Sequence, residues 1–116
     1  MIPDFRQWEN DFLSKAFCED VKQVSSRIHE RYIEVTKQGA LRHSVMLISY
    51  LTQLEQDIPL KIAHFAQENI SDDLVLVHYE GCQTTTGMLS RCTSLWKKES
   101  EAWQLFFHQS TRISEK

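Results

Sequence analysis

Four runs in the second half of the chain, residues 60–70 (LKIAHFAQENI), 74–81 (LVLVHYEG), 88–96 (MLSRCTSLW) and 103–113 (WQLFFHQSTRI), have the content and the two-residue rhythm of β-strands. They are joined by short polar links: Ser71-Asp72-Asp73, a QTTTG segment, and the bridge between Trp96 and Trp103. A parallel return needs a crossover of about a dozen residues or more, so each of these strands is expected to run antiparallel to the one before it.

Upstream of Pro59 the spacing is helical. Phe5, Trp8, Phe12 and Leu13 fall on one helical face, with Pro3 suited to the first turn. Val21, Val24 and Ile28 continue the spacing in a second short helix that starts at the acidic pair Glu19 and Asp20. Tyr32 to Thr36 (YIEVT) reads as a short strand, and Gly39 supplies a turn. Ser44 can cap a third helix carrying Val45, Leu47, Ile48, Leu51 and Leu54, expected to be the most buried of the three. Helices first and strands afterwards define an α+β class, with N-terminal helices packed on one face of a curved antiparallel sheet. At 116 residues there is room for one core, so residues 1–116 are expected to form one domain.

Both alternate sets of the strands carry bulk. Trp103, Leu105 and Phe107 are expected on one face, with Phe106 and His108 on the other; Val75, Val77 and Tyr79 oppose Leu74 and Leu76. The helices can cover one face. A second copy of the sheet, packed across a two-fold axis, is the simplest cover for the other, so a homodimer through the sheet face is expected.

Composition narrows the function classes. Thirteen basic and sixteen acidic residues are scattered along the chain, for a formal charge of −3, and no basic stripe marks a nucleic-acid surface. No apolar run approaches the ~20 residues that cross a bilayer, and MIPDFRQW contains no secretory-type apolar segment, so a cytoplasmic protein without a membrane partner is expected. Cys18, Cys82 and Cys92 cannot all pair within one chain and lack Cys-x-x-Cys spacing; they read as small core residues. No H-x-H or H-E-x-x-H spacing, Gly-rich phosphate loop or nucleophile elbow occurs, so neither a metal nor a cofactor is expected, and phosphoryl or acyl transfer is disfavoured.

The stretch RCTSLWKKESEAWQLFFHQST resembles the C-terminal strands of a bacterial family of unknown function in the nuclear transport factor 2-like superfamily, which includes ketosteroid isomerase and SnoaL-like cyclases. That family ends in a strand of the type R-x-S-x-W followed by W-x-x-x-F-H-Q-G-T. The corresponding residues here are Arg91, Thr93, Ser94 and Trp96, then Trp103, Phe107, His108, Gln109 and Thr111. YIEVTKQGALRHSVMLISYL is similar to a second block of the family through Glu34 and Gly39. Thr36 and Ser110 stand where the family usually has glycine, which favours a more regular last strand here. The resemblance implies a cone-shaped, cystatin-like fold with a cavity between sheet and helices, but no particular reaction.

Within that frame His108, Glu34 and Tyr79 are candidate catalytic residues. A histidine in an apolar cavity can serve as a base near neutral pH; Glu34, between Ile33 and Val35, is a costly place for a carboxylate unless it meets a cation, a cavity mouth or solvent. Tyr79 can donate to a developing oxyanion. Arg91, Gln109, Trp103, His78, Trp8 and Phe12 are candidate ligand-binding residues, with Arg91 the proposed partner of Glu34. Each has a plainer reading as a paired or packed structural residue. His29, His43 and His64 lie near element ends and are expected to contact water.

Three functions follow: a dimeric protein binding a small apolar or amphipathic ligand, a proton-transfer enzyme of isomerase, dehydratase or cyclase type, and a protein-interaction or inhibitor module. An open cavity with converging titratable groups favours the enzyme, and an open apolar cavity without them favours ligand binding. A cavity closed by Trp8, Phe12 and Trp103 favours the interaction module.

Overall fold

The period-two runs of the second half form four long strands, β3 (Leu60–Ser71), β4 (Leu74–Gln83), β5 (Leu89–Glu99) and β6 (Ala102–Arg112), paired antiparallel in sequence order. The structure is a computed structural model that describes residues 2–113. Before these strands come α1 (Phe5–Asp11), α2 (Lys15–Cys18), α3 (Val21–Ser26), β1 (Ile28–Val35), β2 (Leu41–His43) and α4 (Ser44–Thr52). The six strands make one sheet in the order β2-β1-β6-β5-β4-β3. None of the described helices is long and apolar enough to cross a membrane.

One junction departs from the antiparallel expectation. β1 lies parallel to β6, with Glu34 opposite His108 and Val35 opposite Gln109, so the sheet is mixed. The link-length argument governs only consecutive strands, and the whole chain from β2 to β5 lies between these two.

Three short capped helices stand where spacing gave two, one over residues 5–13 and a second short one from Glu19. Asp4, Ser14 and Asp20 each accept a hydrogen bond from the backbone N–H three residues on, at 3.1–3.2 Å, starting α1, α2 and α3. Each such cap is worth about 0.5–2 kcal/mol. Val24 is buried on α3, but Val21 is exposed because α3 begins there, at the surface, and Ile28, read as part of the same helix, is instead the buried first residue of β1, since α3 ends at Ser26. Ser44 is not a cap; its hydroxyl donates to the Glu30 carbonyl. Nor is α4 the most buried helix: Leu47 and Leu51 enter the core, while Val45, Met46 and Tyr50 lie on its exposed side. His29 is buried rather than wet, its Nε2 2.7 Å from Glu99 Oε1 and its Nδ1 accepting from the Arg31 N–H.

Two turns show their chemistry. Gly39, at φ +83°, closes the bend after β1, where the Thr36 hydroxyl accepts from the Ala40 N–H. Ser100 and Glu101 both take left-handed backbone angles and join β5 to β6 in a two-residue hairpin, a turn whose twist matches that of the flanking strands.

The core forms where the helix aromatics meet the sheet. Trp96, fully buried on β5, is stacked by Phe12 at 6.2 Å, with Phe5 at 5.1 Å and Trp8 at 5.5 Å. Phe5 also meets Trp103 edge-on at 5.3 Å. Burial of one large apolar side chain contributes roughly 1.5–3 kcal/mol, and pairs of rings add about 0.5–1.5 kcal/mol each. These contacts hold the short helices in place.

A bulge in β6 decides which residues face this core. Leu95 pairs with Phe107, but the next residue, Trp96, pairs with Leu105, leaving Phe106 without an opposite number. The extra residue puts Leu105 and His108 on the helix-covered face and turns Phe107 outward, against the strict alternation expected from the sequence. Ser110 pairs regularly with Cys92, so the strand is regular where glycine is absent.

Candidate functional site

Between α1, α4 and the covered face of the sheet lies a cavity of about 350 Å³. Its apolar side is made by Phe12 and Leu13 after α1, by Leu47 and Leu51 of α4, and by Ile58 and Leu105. Its polar side comes from the sheet and α1, in three hydrogen-bonded groups. A larger open depression of about 1000 Å³ on the outer side of α4, from Val45 to Pro59, receives no residue from β4, β5 or β6.

The first group centres on Glu9, a buried carboxylate on the core-facing side of α1. Its Oε1 accepts from the Tyr79 hydroxyl at 2.6 Å, and its Oε2 from the Trp96 indole N–H at 2.9 Å. Each carboxyl oxygen accepts one hydrogen bond, which offsets the cost of taking it out of water. Burial, reinforced by the nearby Glu9 charge, pushes the Tyr79 phenol well above its ordinary range. Tyr79 is therefore a donor at any ordinary pH.

The second group lies at the β1–β2 end. Glu34 Oε1 accepts from the Tyr32 hydroxyl at 3.0 Å, and Oε2 from Arg42 at 2.8 Å. Glu34 and Arg42 are direct register partners, which brings the two charges together. For Arg42, burial pulls its affinity for the proton down, but Glu34 outweighs this and the net shift is upward. Burial, with Glu34 adding, raises Tyr32 far above the usual phenol range.

The third group runs along β5 and β6. The His108 ring is held on both sides, Nδ1 2.7 Å from Ser94 Oγ and Nε2 3.1 Å from Ser110 Oγ. Ser110 Oγ in turn lies 3.6 Å from Cys92 Sγ, which has Ser90 Oγ at 3.7 Å on its other side. Burial pulls the imidazole down, but Cys92 and the Glu9 and Glu34 charges outweigh it, so His108 stays protonated to higher pH than a free histidine. Burial pushes the Cys92 thiol up, and its interactions with His108 and Ser110 more than reverse that. Cys18, enclosed by Phe12 and Asp11 backbone without such a partner, is driven up to about 11, chiefly by burial.

Of the residues singled out in the sequence, Glu34, Tyr79, His108 and Phe12 line this cavity. Arg91, Gln109 and His78 do not: they lie on the opposite, outward side of the sheet, and all three are exposed. Arg91 opposes Glu80 and Thr111, and the cation that meets Glu34 is Arg42. Trp103 packs into the main core, and Trp8 is covered by the Arg27 guanidinium at 3.9 Å. Glu9, Arg42, Cys92, Ser94 and Ser110 were not among the candidates. Glu9 carried a legible signal, an acid four residues after Phe5 and three before Phe12, inside the apolar stripe of α1.

Helices gathered on one face of a six-stranded mixed sheet, with a cavity between them, define this chain as having the nuclear transport factor 2-like (NTF2-like), cystatin-like α+β fold. It resembles an NTF2-like protein of unknown function from Pseudomonas putida, with a TM-score of 0.71 and 10% identity over 97% of this chain and 86% of that one. A DUF3225-family protein of unknown function from Pectobacterium atrosepticum gives a TM-score of 0.72 and 14% identity, over 95% of this chain and 85% of that one. The association domain of C. elegans CaMKII gives a TM-score of 0.68 and 11% identity, over 92% and 88%. No family model matches the sequence, and no curated protein does. At these identities the likeness establishes the fold and leaves function to the site.

Proposed function

We propose that this chain is a small cytoplasmic, homodimeric protein that binds a modest amphipathic ligand in the cavity, polar end toward the sheet. The observation that carries this reading is the division of the cavity. Leu47, Leu51 and Ile58 face a wall of hydrogen-bonding groups from Glu9, Tyr79, His108 and Ser110 across about 350 Å³. That volume lies within the roughly 300–1,000 Å³ of small-molecule sites, and a few polar groups in an apolar surround is their usual chemistry. Three free cysteines suit a reducing interior.

The test is a screen of small amphipathic molecules by thermal shift and NMR against the native chain and a Leu47→Trp variant, which fills the cavity. A ligand at a hundred times its Kd stabilises the native protein by about 2.7 kcal/mol. The variant should lose that gain, at an overpacking cost of roughly 1–3 kcal/mol. Ligands that stabilise both proteins equally would place binding elsewhere and reject the reading.

A second reading, proton transfer, has its own support: His108, Glu34 and Tyr79 line the same cavity, and His108 is held by hydrogen bonds at both ring nitrogens. Running the same titrations in deuterium oxide separates the two, since an enzyme of this kind places deuterium on the carbon of a released ligand, with turnover and faster than the protein-free rate. The interaction-module reading has less support, because Trp8 and Trp103 pack away from the cavity and leave it open.

The dimer is supported by the outward face of the sheet. Ile33, Phe107, Leu95 and Leu76 are register partners on four adjacent strands, forming an apolar row on the face opposite the buried Trp96, with Ile33 exposed and the other three half-buried. Sedimentation should give a dimer mass, and Leu95→Lys, which sets a charge in the middle of the row, should give a monomer. A native chain that sediments as a monomer at high micromolar concentration would remove the dimer.

A further inference from the structure

Cys92 is a nucleophilic group that the ligand-binding reading does not use. It is not an isolated thiol: it lines the cavity and belongs to a hydrogen-bonded row, Ser94, His108, Ser110, Cys92, Ser90. Ser94 fixes the ring from one side, the ring faces Ser110 from the other, and the Ser110 hydroxyl bridges to the sulfur. An orienting group, a base and a nucleophile in series is the arrangement that activates weak nucleophiles. The other two cysteines lack it. Cys18 is sealed in the core against backbone carbonyls, and Cys82 lies on the outward-facing side of β4 with none of these partners.

We propose that Cys92 captures small α,β-unsaturated carbonyl compounds that enter the cavity, forming a thioether. This inference rests on the ligand-binding reading and names the class of ligand. In the step, sulfur bonds to the β-carbon and the carbon–carbon π electrons move toward the carbonyl as an enolate. The thiol proton passes through Ser110 to His108 and is then delivered to the α-carbon. One C–S bond and one C–H bond form, one S–H bond and one π bond break, and no oxidant or further reactant is consumed. The apolar wall of Leu47, Leu51 and Leu105 suits the hydrocarbon part of such a molecule. The direction of the thiol's shift, downward despite burial, agrees with the geometry.

The experiment treats the native protein with an equimolar amount of methyl vinyl ketone and follows each cysteine by intact mass and peptide mapping across pH. Cys92 is expected to react at least about tenfold faster than Cys82, with its rate levelling off at lower pH; that threshold is set below the roughly hundredfold or more that a positioned base contributes. His108→Gln should slow Cys92 by a similar factor and leave Cys82 unchanged; if that variant loses its circular dichroism, Ser110→Ala, which removes the bridge, takes its place. A maleimide carried on a polymer too bulky for the cavity should mark Cys82 and spare Cys92. The inference is overturned if Cys82 reacts as fast as Cys92, if the replacement of base or bridge leaves the Cys92 rate unchanged, or if the bulky reagent reaches Cys92. Reversible binding of saturated ligands to a Cys92→Ser variant keeps the two readings apart: if it persists while Cys92 proves inert, only the covalent step falls, and if it too is absent, the ligand-binding reading falls with it.

Discussion

Glu9→Ala is expected to destabilise the fold by roughly 2–6 kcal/mol, because it strands two buried donors at about 1–3 kcal/mol each. The donors are the Tyr79 hydroxyl and the Trp96 indole N–H, both on buried residues and both bonded to the carboxylate that the substitution removes. Urea unfolding followed by tryptophan fluorescence measures the loss. Glu9→Gln should cost less, since its amide oxygen still accepts one of the two bonds. The double variant Glu9→Leu with Tyr79→Phe should recover part of the loss, as only the indole is then left unpaired. An Ala variant as stable as the native chain would mean that the carboxylate merely tolerates its position.

Trp96→Ala is the second large effect, expected at about 3–5 kcal/mol, the range for removing a buried aromatic. Its ring is the surface on which Phe5, Trp8 and Phe12 dock, so the cavity left behind opens beneath α1 rather than at a rim that could collapse. Trp96→Phe restores an aromatic but not the N–H, and should sit between the two, with one oxygen of Glu9 unpaired. The Phe variant separates packing from hydrogen bonding. If Phe and Ala variants unfold at the same urea concentration, the indole bond dominates; if Phe matches the native chain, packing does.

The antiparallel part of the sheet was legible because rhythm and link length are local properties. The parallel junction was not, since nothing in β1 or β6 alone states that two segments so far apart in sequence will be neighbours. The faces of β6 were misread at a single residue. Without the bulge at Phe106 the alternation from Trp103 would have put Phe107 inside and His108 outside.

The pairing of Glu34 with Arg91 failed for a simpler reason. With Trp96 taken as inward, simple alternation puts Ser94, Cys92 and Ser90 inward too and Arg91 outward. The same parity pointed to Cys92 as a covered residue, as its reading as a small core side chain had it. What parity could not supply was Arg42, on a strand of three residues with no pattern of its own. Nor could it supply the hydroxyl of Ser110, which gains its meaning only beside His108 and Cys92.

The sheet has a temporal consequence. β6 sits between β1 and β5, so an emerging polypeptide makes the early helices, β1 and β2 long before the strand against which β1 must lie. β3, β4 and β5 can zip together as they appear, whereas β1 keeps a bare hydrogen-bonding edge until β6 is supplied. Assembly should therefore be sluggish for so short a chain, and its interval of greatest vulnerability to clumping should end when β6 slots between its two waiting neighbours.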